Sequence, residues 1–274
     1  MKAYTSNNIR NIAVLGHGGK GKTTLCEAML YIAGASDRLG RVADGNTVLD
    51  FDSEEKRRKS SVSSAIAALE WDNTKLNIID APGLFDFEGG AAEAVRAAEA
   101  VLIVTSAGSG VDVGTEKAFR AAEKKGAAKF FAVTKTDSDH RNFYKTFDAL
   151  KEVYGNKLCP TIIPYMEGNI TKCYVNLMTG MAFSYDENGK ATKVPVPEDS
   201  VIEEMTSAFM EAVATTDDAL MEKFFEGEKF TKEEILKGLC IGIFDGSIYP
   251  VYAVSGLTCA GVDQLLYGLA WSAP

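Results

Sequence analysis

Gly16-His17-Gly18-Gly19-Lys20-Gly21-Lys22-Thr23 fits the phosphate-loop pattern G-x-x-x-x-G-K-[ST] at every fixed position. Ahead of it, Asn11-Ile12-Ala13-Val14-Leu15 reads as a short buried strand. After it, Thr24 to Ala33 reads as a helix with Leu25, Met29 and Ile32 on one face. Strand, glycine loop and helix in that order turn a pattern match into a candidate site. Glycines let successive backbone N–H groups close around phosphate oxygens, and the helix N-terminus adds partial positive charge. The residues expected around phosphate are His17, Gly18, Gly19, Lys20, Gly21, Lys22, Thr23 and Thr24. Lys22 can reach the β- and γ-phosphates and serve phosphoryl transfer, and the Thr23 hydroxyl can hold Mg2+. The plain alternative is a glycine-rich strand–helix turn.

Around this loop the chain alternates strands and helices. Ala65 to Trp71 and Leu76 to Ile79 read as strands joined by a turn at Asp72-Asn73. Ala91 to Ala100 reads as a helix, and Val101-Leu102-Ile103-Val104 as a strand buried on both faces. A helix from Thr115 to Lys125 ends at Gly126. A second buried strand, Lys129 to Val133, precedes a helix from about His140 to Tyr154. Such alternation predicts an α/β fold with a mostly parallel sheet flanked by helices.

Beyond Cys159 the pattern changes. Residues 162–193 carry short strand-like pieces with turn signals at Met178-Thr179-Gly180 and Glu187-Asn188-Gly189. Val194 to Pro197 reads as an extended connector, and Glu198 to Leu239 as acidic helices. There Met205, Phe209, Met210 and Val213 recur at helical spacing and are expected in the core. Thr231 with Glu234 is a capping box. Val251 to Ser255 returns to a buried strand, followed by a helix over Val262 to Trp271.

Composition bounds the function. The chain has 274 residues, 46% of them hydrophobic, which suffices for a full core. A formal charge of −9 argues against free, unspecific nucleic-acid binding, without excluding a local docking patch. Five cysteines form no C-x-x-C pair, and two histidines cannot complete a zinc site with them. The polar start, the absence of a membrane-length apolar run and the odd thiol count point to a cytoplasmic protein.

Three further motifs follow the phosphate loop in order. Asp80-Ala81-Pro82-Gly83 follows a strand. An acid there can hold Mg2+, and the Gly83 N–H can meet a γ-phosphate and swing when that phosphate leaves. Thr134-Lys135-Thr136-Asp137 follows the strand ending at Val133. The Asp137 carboxylate can accept from the ring N–H and the exocyclic amine of guanine, which adenine does not offer in that arrangement. The Lys135 stem can lie over the base. Ser255-Gly256-Leu257 closes the last strand, where a backbone N–H can donate to guanine O6.

These motifs, in this order, resemble those of the translational GTPases, most closely the GTP-binding domain of elongation factor G and its elongation-factor-G-like relatives. The resemblance runs over essentially the whole chain. Asp50 to Ser64 looks like the first switch segment, and Asp80 to Phe87 matches the D-x-P-G-x-x-D-F run of the second. Asp112 to Glu116 is similar to the family's segment after the fourth core strand. The resemblance implies GTP/GDP and Mg2+ as cofactors. Thr23, Ser61 and Asp80 would serve the metal, Ser61 aligning with the threonine that completes its coordination, and Lys22 and Gly83 would act in catalysis. It implies a P-loop GTPase core over 1–157 and 250–274. Some 118 positions separate Asp137 from Ser255, so a folded α+β subdomain over 158–249 is expected between the base-reading motifs. We expect that unit to be separable and to lie away from the phosphate loop. Ala270 to Pro274 would hand over to downstream domains. The implied partners are guanine nucleotide and the ribosome, with a stalk protein docking on the inserted helices. No membrane partner is expected. Lys56 to Lys59 reads either as a solvated face or as an RNA contact.

The chain departs from the family pattern at four places. Thr134 stands for the usual Asn, Ser61 for the switch-one Thr, and Gly19 for a common Asp. Leu84 stands where the family has the His that positions the attacking water. The departures favour guanine-nucleotide binding with slow hydrolysis. Three functions stay open at this point: an elongation-factor-G-like factor, a ribosome-protection GTPase of the tetracycline-resistance type, and a nucleotide-dependent binding switch.

Overall fold

The computed structural model describes residues 3–138 and 142–274. In chain order the elements are β1 (Ile9–Leu15), α1 (Lys22–Ile32), α2 (Ser53–Arg58), β2 (Ala65–Trp71), β3 (Thr74–Asp80), α3 (Glu88–Ala97), β4 (Ala100–Ser106), α4 (Val113–Lys125), β5 (Ala128–Thr134), α5 (Phe143–Tyr154), β6 (Leu158–Glu167), β7 (Ile170–Asn176), β8 (Met181–Tyr185), β9 (Ala191–Val194), α6 (Ser200–Ala214), α7 (Asp218–Glu226), α8 (Lys232–Asp245), β10 (Tyr249–Ala253) and α9 (Val262–Ser272). The described strands form one sheet in the order β2-β3-β1-β4-β5-β10-β6-β7-β8-β9.

Hydrophobic patterning explains the layering. All seven residues of β4 and all seven of β5 are buried, as strands covered by helices on both faces require. β1, β3, β4, β5 and β10 pair in parallel, and β2 joins β3 antiparallel. The expected turn at Asp72-Asn73 is a two-residue hairpin with φ of 43° and 60°, a left-handed pair suited to tight hairpins. The Thr231–Glu234 capping box opens α8, and Met205, Phe209 and Val213 are core residues of α6.

Two helix boundaries differ from expectation. The alanine-rich helix runs from Glu88 to Ala97, three residues early, because Ala98 is extended and Ala100 already begins β4. Alanine fits helix and buried strand alike, so composition alone did not mark the border. The expected start of α5 at His140 lies outside the described residues. The helix is seen from Phe143, capped by Asn142, whose side chain accepts from Tyr144 N–H.

A larger difference concerns residues 158–249. β6 pairs in parallel with β10, with Tyr249 opposite Leu158 and Tyr252 opposite Ile162. β7, β8 and β9 then extend the same sheet antiparallel. The segment shares the core sheet and turns β10 from an edge into an interior strand. A segment continuous with the core sheet is not expected to separate cleanly. Removal of residues 158–249 with a short linker is expected to uncover the β10 edge and the apolar Val251–Tyr252 surface. Thermal melting and size-exclusion chromatography should show an unfolded or associating product. A monomer that melts cooperatively near the intact chain would refute this.

Candidate functional site

The phosphate loop leaves β1 and enters α1 at a left-handed Gly21, φ 86°, with no side chain capping the helix. The first-turn N–H groups of α1 are thus uncapped by any side chain, the arrangement that receives an anion. Gly16 has φ 141°, and a Cβ there would lie 2.2 Å from Val104 O, so the loop can turn over β4 only with glycine. Lys22 is buried, and its Nζ donates to Gly16 O at 2.9 Å and His17 O at 3.1 Å. Burial lowers the pKa of its ammonium, opposed by the Asp80 charge. A phosphate would be a stronger partner than those two carbonyls. Gly83 comes to this ammonium: a Cβ on it would lie 2.1 Å from Lys22 Nζ and 2.8 Å from Gly18 N. The D-x-P-G segment and the phosphate loop are therefore in direct apposition.

The expected metal residues converge as well. Thr23 Oγ1 donates to Asp80 Oδ2 at 2.6 Å and lies 3.1 Å from Ser61 Oγ. Ser61 Oγ in turn donates to Asp50 Oδ1 at 2.7 Å. Asp80 Oδ1 and Asp50 Oδ2 are buried without a hydrogen-bond partner. Burial pushes the Asp80 carboxyl up to about 7, against the lowering effects of the Thr23 hydrogen bond and the Lys22 charge. Two hydroxyls and two orphaned carboxylate oxygens are hard oxygen donors, which suit Mg2+. The residues present fit that ion.

Asp50 did not stand out in the sequence, and neither did Glu27. Glu27 is fully buried in α1 and accepts from Val48 N–H at 2.8 Å and Leu49 N–H at 3.0 Å through Oε1. It therefore fixes the two residues that immediately precede Asp50. The one available signal was an acid inside the apolar run 25–30. In the same segment, Glu55 is buried and accepts from Val62 N–H and Ser63 N–H at 3.0 and 3.1 Å, shaping the turn beside Ser61. Lys56 to Lys59 are exposed, with Arg57 and Arg58 paired to Glu54.

At the other end, Thr134 Oγ1 donates to Lys20 O at 2.6 Å, with Thr105 O a second acceptor at 3.0 Å. A single hydroxyl thus ties the Thr134–Asp137 loop to the phosphate loop, from the position where the family pattern has Asn. Lys135 Nζ donates to Gly19 O at 2.7 Å, adding a second tie. Asp137 is exposed at the mouth of the loop. Ser255 is buried, and its N–H donates to Ala260 O at 2.9 Å, so it is committed within its own turn. Gly256 packs on the backbone of Thr24 and Leu25, and Leu257 is half exposed.

Residues 7–274 match the family described as the elongation factor Tu GTP-binding domain. The chain belongs to that family. It is 33% identical over 261 residues to an elongation factor G-like protein of Mycobacterium tuberculosis, found alike in strains H37Rv and CDC 1551 / Oshkosh. The match covers 94% of this chain and 36% of that protein. A crystal structure of a Thermus thermophilus protein superposes with a TM-score of 0.91 at 35% identity, over 98% of this chain and 41% of that one. The chain thus spans little more than a third of the length of the curated relatives it matches. It is an α/β P-loop GTPase domain of the elongation-factor-G-like kind. Among the described residues no helix is long and apolar enough to cross a membrane.

Within this GTPase domain the second switch is apolar where the family pattern has His. Leu84 is 40% exposed, and its Cδ2 would lie 3.0 Å from a Cβ at Gly18. It covers the phosphate loop with hydrocarbon. The His17 ring packs edge-on against Phe85 at 5.6 Å, and its Nδ1 is buried without a partner. Lys117 lies 4.2 Å from the Phe85 ring centroid and pairs with Glu88, linking α4 to the switch. Lys20 pairs with Asp112 at 3.1 Å; Asp112 also caps α4 by accepting from Thr115 N–H at 2.9 Å.

Proposed function

We propose that this chain is the GTP-binding and GTP-hydrolysing domain of an elongation-factor-G-like translation factor that acts on the ribosome in the cytoplasm. The observation that carries this reading is the junction of Thr23, Ser61, Asp80 and Asp50, drawn from three segments into one buried cluster beside Lys22. Such a cluster joins the phosphate loop to both switch segments, so nucleotide state can set switch position. Thr23 and Ser61 would hold Mg2+, with Asp80 and Asp50 facing it, and Mg2+ would neutralise charge between the phosphates. Lys22 would bind the β- and γ-phosphates, and Gly83 would offer its N–H to the γ-phosphate. Thr134 and Lys135 hold the loop that presents Asp137 to the base. We take residues 158–249 as the insertion and its acidic helices as the surface for a stalk protein, and we assign no free nucleic-acid binding.

The reading with least hydrolysis, a nucleotide-dependent binding switch, is favoured by Leu84 over the phosphate loop. A ribosome-protection role would share every feature of this domain. The test combines two measurements. Fluorescent GDP should bind with Mg2+ and release at least ~10-fold faster with EDTA or in Thr23→Ala, because the buried carboxylates lose their counter-charge. In the full-length factor, ribosome pelleting should be stronger with a non-hydrolysable GTP analogue than with GDP. Binding indifferent to EDTA refutes the metal assignment, and equal pelleting refutes the ribosomal switch.

A further inference from the structure

The Thr134–Asp137 loop is tied to the insertion, and two side chains of β7 make the link. Lys135 sits at φ 60°, a left-handed conformation disfavoured for a lysine. Such a residue persists only where its neighbours hold it. Thr134 on one side is bound to the phosphate loop. On the other side, Thr136 is buried and meets β7 of the insertion. Thr136 Oγ1 donates to Val254 O at 3.0 Å and lies 2.7 Å from the Tyr174 hydroxyl. With the threonine proton spent on Val254, the tyrosine is the donor in the second bond. Thr171 Oγ1 donates to Thr136 O at 2.8 Å. Tyr174 is almost fully buried, packs edge-on against Tyr185 at 5.5 Å, and lies beside Gly261 at the start of α9. Tyr185 in turn donates to Asp263 of α9 at 2.6 Å. Val254 immediately precedes Ser255, so one hydroxyl pair joins three pieces: the Asp137 loop, the Ser255–Leu257 turn and the insertion.

We propose that Tyr174, supported by Thr171, is a positioning residue for guanine recognition: it fixes the Asp137 loop against the Ser255–Leu257 turn, so the inserted segment sets base affinity and selectivity. This rests on the guanine-nucleotide reading above. Tyr174 does not touch the base in this account; it acts through Thr136, the residue between Lys135 and Asp137. The insertion thereby gains a path by which a load on its sheet changes nucleotide release.

Tyr174→Phe removes the hydroxyl and keeps the ring. Losing one buried hydrogen bond and leaving Thr136 under-satisfied should speed fluorescent-GDP release by ~3- to 10-fold. Inosine diphosphate lacks the exocyclic amine that Asp137 reads, so the GDP-to-IDP affinity ratio should also fall. Tyr144→Phe is the control: its hydroxyl donates to Pro164 O on β6 at 2.6 Å, away from Thr136. It should leave both the release rate and the ratio unchanged. If Tyr174→Phe fails to fold, Thr171→Val probes the same loop through its other tie. Release within about twofold of the native chain, a GDP-to-IDP ratio that does not move, or an equal effect from Tyr144→Phe would overturn the proposal. If the native chain binds no GDP at all, the guanine reading fails first and this inference falls with it.

Discussion

GDP is expected to bind this chain at least about a hundredfold more tightly than ADP, since a mismatched base leaves buried polar groups unpaired at several kcal/mol. Asp137 stands at the mouth of a loop tied twice to the phosphate loop, through Thr134 to Lys20 O and through Lys135 to Gly19 O. Its carboxylate is an acceptor only, and guanine alone offers it two adjacent donors. Asp137→Asn replaces one acceptor oxygen by a donor amide, which clashes with the guanine amine and suits the carbonyl of xanthine. The variant should lose GDP and gain xanthosine diphosphate. Calorimetry with GDP, ADP and xanthosine diphosphate decides the matter. Comparable GDP and ADP affinities in the native chain would refute the base-reading assignment.

Turnover of GTP by the isolated chain is expected at or below roughly 10⁻⁴ to 10⁻³ s⁻¹, the range of GTPases without their activators. Phosphoryl transfer needs charge stabilisation and a positioned water. Lys22, the uncapped N-terminus of α1 and a Mg2+ held at the hydroxyl–carboxylate cluster would supply part of the first. The second is missing from the described site. Leu84 lays a methyl-bearing chain over Gly18, and the His17 ring is engaged with Phe85. Single-turnover hydrolysis, with Lys22→Ala as background, tests this. A rate above ~0.1 s⁻¹, far outside the unactivated range, would reveal a catalytic group elsewhere. Leu84→His should raise the rate only when ribosomes and the rest of the factor complete the site. If it stays inert even then, the binding-switch reading prevails.

Much of this was legible before the fold. Gly16 to Thr23 carries its own geometry, because a phosphate loop is a local structure whose glycines and helix start lie next to each other in the chain. Continuous apolar runs likewise marked the parallel core strands β4 and β5. Errors arose where a residue type is indifferent to context. Alanine blurred the border between α3 and β4, and the commitment of the Ser255 N–H to Ala260 O left no mark in the sequence.

The sequence by itself determined the class of the protein, the order of its nucleotide motifs and the presence of a long insertion between the last two of them. Only the tertiary structure showed that Glu27 holds the chain ahead of Asp50, that Asp50 joins the Thr23–Ser61–Asp80 cluster, and that the Thr134 hydroxyl reaches the phosphate loop. It also showed that the insertion continues the core sheet and clasps Thr136. The reason is physical. A motif is legible when its partners are neighbours along the chain or repeat with a period. Hydrogen bonds between residues such as Thr136 and Tyr174, or Thr134 and Lys20, join distant segments and leave no pattern in either one. They exist because burial leaves polar groups no water to bond, and folding alone decides which of them meet.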